Sequence, residues 1–337
     1  MLVSVIVPCR NESATLDHFL TSVLAQWTGS IAIEVVIADG RSDDGTTAKL
    51  LKWVQRDPRI RVVDNPDGTT PAGLNAALAS TRGEVIVRMD VHTVYADDYI
   101  AQCVAVLDAS AATCVGGAWY AQGEGPAGRA IAAAFNSGFG SGGARSRNRS
   151  YTGSVDTVYL GAWRRADLLA VGGFDPALVR NQDDELNLRT IRSGGRVWQS
   201  ARIRSTYQPR RSFRALLWQY FQYGYWKVAV FRKHRMPASW RHLAPAGFVV
   251  SILVGLLIAP FVPWMGLVVA AVVGAYIIVC LATAAYVARR DGESQLTLVA
   301  VAFVTMQMGY GLGFVLGLLD AFRAGKAARN SVRRLTR

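Results

Sequence analysis

Three long apolar segments in the C-terminal part of this sequence limit its fold more than any other feature. They cover about residues 243–262, 264–288 and 296–319. Each approaches or exceeds the roughly 20 apolar residues that an α-helix needs to cross a bilayer. The first apolar run of the chain, Val3 to Val7, is too short for a cleavable signal. We therefore expect a C-terminal membrane anchor and an N-terminal region that stays in the cytoplasm.

A basic stretch after the third segment bears on how many segments cross. Three complete crossings from a cytoplasmic region would place this tail outside, whereas positive charge beside a membrane segment favours the cytoplasm. We therefore predict a membrane domain at 243–322 with two or three transmembrane helices and a cytoplasmic tail at 323–337. The cations of the tail are Arg323, Lys326, Arg329, Arg333, Arg334 and Arg337.

The N-terminal region alternates between short apolar runs, polar loops and helical patterns, four times within about ninety residues. The runs are Val3 to Val7, Glu34 to Ala38, Arg61 to Val63 and Val85 to His92. This alternation predicts an α/β fold with a doubly wound, mainly parallel sheet. No Gly-x-Gly-x-x-Gly motif follows the first run and no Walker-type lysine loop occurs, so neither a dinucleotide site nor a P-loop is supported.

The fourth apolar run closes on a carboxylate and an imidazole, Asp90 and His92. In open α/β sheets, ligands bind beyond the carboxyl ends of the strands. The two residues have the same strand parity, so both face one site if the strand continues to His92. A carboxylate oxygen and a neutral imidazole suit Mn²⁺ or Mg²⁺, with a nucleotide diphosphate completing the coordination shell. The alternative is that Asp90 caps the next loop and His92 makes an ordinary hydrogen bond.

The polar motifs that follow these runs, taken in order, resemble those of family-2 inverting glycosyltransferases. Within that family the chain is most similar to membrane-bound enzymes of bacterial exopolysaccharide assembly, such as the succinoglycan-biosynthesis type. The similarity covers about residues 1–235 and implies a GT-A-like, nucleotide-sugar-binding domain. The motifs are Pro8, Asn11-Glu12, Asp39-Gly40, Asp43 to Thr46, Gly73 to Asn75, Gly83-Glu84, Asp90 to His92, Gly172 to Asp175 and Gln182 to Leu186.

The resemblance also implies roles for individual residues. Asp39 would bind the base of the nucleotide sugar, and Asp90 would approach the ribose and a divalent metal, Mn²⁺ or Mg²⁺. The third acid of the family's Asp-x-Asp motif is His92 in this chain, so an imidazole takes the metal-binding place. The implied donor-binding residues are Pro8, Asn11, Glu12, Asp39 and Asp90, and the implied metal ligands are Asp90 and His92.

Asp183 is the candidate general base. Displacing a nucleoside diphosphate from an anomeric carbon requires charge neutralisation on the phosphates and a base for the incoming hydroxyl. Asp183 stands in a polar loop before a helix expected from Asp184, and Gln182-Asp183 replaces the Glu-Asp pair usual in the family. The structural alternative is a helix cap. No Ser-His-Asp or reactive-cysteine pattern is visible, so direct displacement with inversion is favoured.

Two basic regions are candidates for contact with the acceptor or with phosphate. The glycine-rich stretch 137–150 is either a lid or acceptor loop that meets phosphate or a solvated flexible loop. Region 206–242, which includes Lys227, carries aromatic and basic side chains at helical spacing. It is either an interfacial helix on anionic lipid or a core helix of the catalytic domain. The candidate contacts are Asp184, Arg145, Arg147, Arg149, Arg210 and Arg211.

The formal net charge is +13, but the cations lie mainly beside apolar segments and aromatic residues. Membrane phosphate is therefore the expected partner, rather than nucleic acid. We predict a cytoplasmic catalytic domain at 1–205, an amphipathic interfacial region at 206–242, and the membrane domain and tail defined above.

The expected activity is transfer of a sugar from a nucleotide donor, expected to be uridine-linked, to a polyprenyl-linked acceptor at the cytoplasmic membrane. One alternative is a polyprenyl-phosphate glycosyl synthase, whose acceptor is the bare lipid phosphate. Two others are a sugar nucleotidyltransferase, for which Pro8 to Glu12 is a poor version of the usual glycine-rich loop, and a non-catalytic membrane component.

Overall fold

The computed structural model describes residues 1–235, 239–292 and 295–322. These residues form two compact units. The first contains Met1–Tyr120 and Arg145–Tyr207, and the second contains Ala121–Ala144 with the described residues from Gln208 onward. The structure differs here from the division made on sequence, because residues 121–144 cluster with the C-terminal helices. The predicted basic tail, 323–337, lies outside the described residues.

Two sheets organise the strands, which are mostly short. The strands are β1 (Leu2–Cys9), β2 (Ala32–Asp39), β3 (Ile60–Asp64), β4 (Val85–Arg88), β5 (Thr93–Tyr95), β6 (Cys114–Gly117), β7 (Trp119–Ala121), β8 (Gly153–Ser154), β9 (Tyr159–Arg164), β10 (Val197–Gln199) and β11 (Ser205–Tyr207). The large sheet has the order β3-β2-β1-β4-β9-β6-β10-β8, and the small sheet has the order β5-β11-β7. Strands β1 to β4 pair in parallel, and β9 runs antiparallel between β4 and β6.

Helices connect these strands, and the described elements after β11 are all helices. They are α1 (Leu16–Leu24), α2 (Thr46–Arg56), α3 (Thr70–Ala79), α4 (Tyr99–Ser110), α5 (Gly125–Asn136), α6 (Arg165–Ala170), α7 (Gln182–Arg192), α8 (Phe213–His234), α9 (Ala244–Ile258), α10 (Pro263–Asp291) and α11 (Leu296–Phe322). The predicted α/β fold with a mostly parallel sheet is confirmed, and so are the four expected strands near the N-terminus.

Strand β1 lies at the centre of the large sheet and is buried on both faces. Val3 and Val5 pack into one apolar cluster that includes residues of α1 and α4, while Ile6 packs into a second cluster with Leu74 of α3. Full burial of such side chains stabilises the fold by about 1.5–3 kcal/mol each. This explains why the run reads as continuously apolar rather than alternating.

The parallel strands bring their carboxyl ends to one edge of the sheet. Cys9 of β1 pairs with Asp39 of β2, and Asp39 pairs with Asp64 of β3. Strand β4, on the other side of β1, ends at Arg88. The loops that carry the predicted donor-binding residues therefore begin next to one another.

In the second unit, α8 and α11 approach each other closely because glycines remove side chains from their interface. A Cβ atom at Gly313 would lie 2.0 Å from the carbonyl oxygen of Phe221, and one at Gly224 would lie 2.0 Å from that of Tyr310. Small residues spaced by four positions permit such backbone contact between helices. The glycines of α11 that face α8 are Gly309, Gly313 and Gly317.

Three helices in the described part of the chain are long and apolar enough to cross a membrane. The candidate spans are Arg241–Ile258, Pro263–Asp291 and Leu296–Phe322, with mean hydropathies of 1.8, 2.6 and 1.7. They correspond to the three apolar segments predicted from sequence. The third span is half buried within its unit, in keeping with its packing against α8, whereas the second is almost wholly exposed.

Helix α8 occupies the region predicted to be interfacial. Leu217 and Trp218 are exposed at 39% and 43%, and Arg214 is exposed beside them. Lys227, which was expected among the lipid-facing cations, is only 3% exposed. Helix α8 packs against α11 along much of its length, and a helix packed along one neighbour must bury one face. Lys227 is therefore not the lipid-facing cation that the sequence predicts.

Candidate active site

Strand β4 ends two residues before Asp90, so the expected strand parity of Asp90 and His92 does not hold. The chain turns at this point, and the buried Tyr95 closes the turn. Its hydroxyl accepts a hydrogen bond from the Asp90 backbone N–H at 2.6 Å and donates to the Asp90 carbonyl at 3.1 Å. As a result, the Asp90 carboxylate meets Arg88, whereas the His92 ring lies beside Glu12.

Arg88 joins the donor-side acid to the predicted base. Its side chain is 3% exposed, and its Nε and Nη2 atoms each donate to a different oxygen of Asp90 at 3.1 Å. Its Nη1 atom donates to Oδ1 of Asp183, which lies 95 positions further along the chain. Burial disfavours the charged guanidinium, but the charges of Asp183 and Asp90 outweigh this effect and raise the pKa of Arg88 above its usual value. Two half-buried acids thus share one buried cation.

Asp183 stands in the first turn of α7, which begins at Gln182 and not after Asp183 as predicted. Its side chain is 26% exposed. Burial raises the pKa of Asp183 to about 6, while the Arg88 charge acts in the opposite direction and the charges of Asp90 and Asp184 add to the rise. A carboxylate with such a pKa accepts a proton more readily near neutral pH than an ordinary aspartate does.

Asp184, a candidate acceptor contact, is held by side chains on its own side of the helix. Its Oδ1 atom accepts a hydrogen bond from the Thr157 hydroxyl at 3.0 Å. That hydroxyl in turn accepts one from Nδ2 of Asn187 at 2.9 Å. The two neighbouring acids of α7 are therefore bonded differently: Thr157 donates to Asp184, and Arg88 donates to Asp183.

The loops after β1 and β2 are tied together by hydrogen bonds. The Asn11 backbone N–H donates to Oγ of Ser42 at 2.9 Å, and its side-chain amide donates to Asp43 at 2.8 Å. The backbone N–H of Glu12 donates to the Thr46 hydroxyl at 2.9 Å. These contacts bring the predicted donor-binding residues of two separate motifs into one structure.

Asp39 is 7% exposed and lies at the end of β2, one position after the pairing of Pro8 with Ala38. Its Oδ1 atom accepts from the backbone and hydroxyl of Ser42, at 3.2 and 2.6 Å, and its Oδ2 atom accepts from the Thr47 hydroxyl at 2.5 Å. An ionised carboxylate offers about four acceptor positions, so Asp39 keeps the capacity to bind one more donor.

The predicted metal site offers a carboxylate and an imidazole, which are donor types that Mn²⁺ and Mg²⁺ accept. Asp90 is 14% exposed, the His92 side chain is 50% exposed, and His92 Nδ1 lies 3.5 Å from Oε1 of Glu12. Within the described ranges, no group of three or more His, Cys, Asp or Glu side chains is arranged to hold a metal. A site with one or two side-chain ligands matches the way Mg²⁺ is usually held in phosphate-transfer enzymes, where substrate phosphates supply further ligands.

The three arginines of the glycine-rich stretch each lie against an aromatic ring within the first unit. The part of this stretch that belongs to the first unit begins with a short 3-10 helix at Arg145–Arg147. The fully buried Gln199 donates its side-chain amide to the carbonyl of Asn148 at 2.7 Å. The segment is therefore anchored to the sheet at this point. The distance from the guanidinium Cζ atom to the ring centroid is 5.9 Å for Arg145 and Tyr151, 3.1 Å for Arg147 and Trp119, and 4.6 Å for Arg149 and Tyr120.

Arg210 and Arg211, the remaining candidate phosphate contacts, belong to the second unit. Both are exposed, and Arg211 forms an ion pair with Glu124 at 2.9 Å. Exposed ion pairs of this kind contribute little to stability, about 0–1 kcal/mol.

Arg88 is the site residue that sequence reasoning missed. The available signal was a cation inside an otherwise apolar run, Val85 to Met89. A buried arginine needs charged or polar partners, so its presence before Asp90 already required at least one acid nearby.

Comparison with known proteins agrees with this geometry. Residues 4–168 match the model of glycosyl transferase family 2. The chain is 32% identical to the succinoglycan biosynthesis protein ExoA of Rhizobium meliloti (strain 1021) over 318 residues, which cover 94% of each chain. The chain belongs to glycosyl transferase family 2.

Two solved structures share the fold. A mannosyltransferase from Pyrobaculum calidifontis in complex with GDP-Man and Mn²⁺ has a TM-score of 0.61 and 21% identity, and the match covers 94% of this chain and 87% of that one. GalNAc-T7 with UDP, GalNAc and Mn²⁺ has a TM-score of 0.52 and 14% identity, with 71% and 52% covered. The predicted family and GT-A-like fold are confirmed, and transfer from a nucleotide sugar is supported.

Proposed function

We propose that this protein transfers a sugar, with inversion, from a uridine-linked donor to a polyprenyl-linked acceptor at the membrane. The observation that carries the proposal is the shared guanidinium of Arg88. It joins the acid implied to meet the donor, Asp90, and the acid implied to act as base, Asp183, through one buried cation. Because the chain belongs to glycosyl transferase family 2, we assign glycosyl transfer to Arg88, Asp90 and Asp183 acting together.

In the proposed reaction, an acceptor hydroxyl attacks the anomeric carbon of the donor. Asp183 takes the proton of that hydroxyl as the new carbon–oxygen bond forms. The bond from the anomeric carbon to the diphosphate breaks, and the diphosphate leaves with the electron pair. A single displacement of this kind inverts the anomeric configuration, and it needs only a base on the acceptor side.

Asp90 and His92 are the residues that would hold a divalent metal, and solved relatives of the fold contain Mn²⁺. When bound, such an ion neutralises charge on the departing diphosphate. The loops of Asn11, Glu12 and Asp39 would bind the nucleotide, because they meet at the same sheet edge and Asp39 retains acceptor capacity. Mn²⁺ or Mg²⁺ is the expected cofactor.

A lipid-linked acceptor is proposed because the same chain carries candidate membrane spans. The exposed Arg214, Leu217 and Trp218 of α8 combine positive charge with apolar surface, as segments on anionic lipid do. The cations Arg145, Arg147 and Arg149 are proposed to meet acceptor phosphate, and so are Arg210 and Arg211. We propose a multi-pass protein of the cytoplasmic membrane with the first unit in the cytoplasm.

The proposal is tested with purified full-length protein in detergent and a panel of UDP- and GDP-sugars, with Mn²⁺, with Mg²⁺ or with chelator. We expect metal-dependent nucleotide release that rises when a polyprenyl-diphosphate sugar is added. A rise with bare polyprenyl phosphate alone would instead assign a polyprenyl-phosphate glycosyl synthase. No release from any nucleotide sugar, with or without acceptor, would contradict the proposed function.

A further inference from the structure

Arg88 is buried and Arg189 is half-buried in the first unit, and the two arginines have different partners. Arg189 pairs with Glu185 but also donates to the carbonyls of Val171 and Gly173, which fixes a loop. The hydrogen bonds that the structure describes for Arg88 all go to carboxylate oxygens. A guanidinium used in this way sets the positions of acids rather than the path of the backbone.

The two acids held by Arg88 come from distant elements. Asp90 lies in the turn after β4, and Asp183 lies in the first turn of α7. The planar fork of the guanidinium fixes both the distance and the angle between groups that it bonds, which a lysine ammonium does not do. With 3% exposure, Arg88 has little contact with solvent that could replace these bonds.

We propose that Arg88 is a positioning residue that fixes the donor-side carboxylate of Asp90 and the base carboxylate of Asp183 in one arrangement. The inference rests on the proposed function and adds to it a coupling between donor binding and turnover. Loss of Arg88 affects both steps, because Asp90 serves the first and Asp183 serves the second. Loss of Asp183 affects turnover alone.

The experiment combines Arg88→Gln, Arg88→Lys, Asp183→Asn and the double variant Arg88→Gln/Asp183→Asn. Arg61→Gln is the matched control, because Arg61 also pairs with a largely buried acid, Glu34, at 3.0 Å. Binding of UDP with MnCl₂ is measured by calorimetry, turnover by UDP release from the UDP-sugar that gives the highest release in the panel, and folding by the thermal midpoint in detergent.

We expect Arg88→Gln to weaken binding of UDP with Mn²⁺ by about tenfold and to lower turnover by about a hundredfold, the range found for residues that orient metal ligands. Arg88→Lys retains the charge without the fork and should recover only part of either loss. Asp183→Asn should bind like wild type. At saturating donor and Mn²⁺, the double variant should turn over no more slowly than Asp183→Asn, because the effect of Arg88 on turnover acts through the Asp183 carboxylate.

Additive losses in the double variant would overturn the positioning role, and so would Arg88→Gln values equal to those of Arg61→Gln. If Arg88→Gln does not fold, Arg88→Lys carries the same comparison, and a Lys variant equal to wild type in both assays refutes the need for the fork. A wild-type protein that neither binds UDP with Mn²⁺ nor releases nucleotide removes the proposed function itself. Normal wild-type activity with unaffected Arg88 variants removes only the positioning role.

Discussion

The two units of this protein fix the positions of their functional groups and helices in opposite ways. In the first, a buried cation and two acids hold one another through charge-assisted hydrogen bonds, so the site depends on side chains. In the second, α8 and α11 meet where side chains are missing, as at Gly224 and Gly313. Substitutions in the first unit should therefore change chemistry in a folded protein, whereas substitutions at the helix contact should change folding.

The largest expected effect comes from Gly313→Val. The new Cβ would lie 2.0 Å from the carbonyl oxygen of Phe221, so the helices must separate. Overpacking of this severity costs about 3 kcal/mol or more, which lowers the thermal midpoint by roughly 6 °C or more. Gly274→Val on α10 is the control, because no atom lies within 4 Å of its added Cβ. Equal midpoints for the two variants would mean that the contact is not needed for folding.

Asp183→Asn should show the opposite behaviour. Its thermal midpoint and its affinity for UDP with Mn²⁺ should stay close to those of wild type, while turnover falls at least about a hundredfold through loss of the general base. Measured together, the two assays separate chemistry from folding. Turnover at the wild-type rate would remove Asp183 from the mechanism.

A smaller effect is expected at His92. His92→Ala should weaken metal-dependent donor binding by about tenfold, whereas His92→Asp should recover part of it by restoring an oxygen ligand. Titration of UDP binding against MnCl₂ measures both. If wild type and His92→Ala show the same metal dependence, His92 serves packing against Tyr207 or its contact with Glu12 instead.

Much of the first unit could be predicted from sequence, because each buried parallel strand is a continuous apolar run that ends in polar residues. Asp39 and Asp90 follow directly from those ends, whereas Asp183 is a candidate through the family resemblance; in the structure, Arg88 bonds both Asp90 and Asp183. The link through Arg88 could not be predicted, since local patterns carry no information about a partner 95 positions away. The strand end at Arg88 was also missed, because the apolar residues Met89 and Val91 extend the pattern past the true end.

The sequence predicts the three apolar helices of the second unit but does not predict that helix α5 belongs to it. Apolar length identifies α9, α10 and α11, whereas helix α5 is an alanine-rich stretch inside the catalytic sequence. Its buried face gives no sign of which helices it contacts. Phe135 of α5 lies 5.9 Å from Tyr220 of α8, ring to ring, which places this helix in the second unit. The glycines of α11 are visible in the sequence, but the pattern alone does not show which helix they face.

The pH dependence of turnover, compared between wild type and Asp183→Asn at saturating Mn²⁺, tests the assignment of the base most directly. Burial raises the pKa of Asp183 to about 6, and only the ionised carboxylate can accept the acceptor proton. Wild-type kcat/KM should therefore fall about tenfold per pH unit below about pH 6 and level off above it. The residual rate of Asp183→Asn should lack this acid limb. An unchanged acid limb in Asp183→Asn, or a wild-type rate that is flat between about pH 5 and pH 7, would contradict the account.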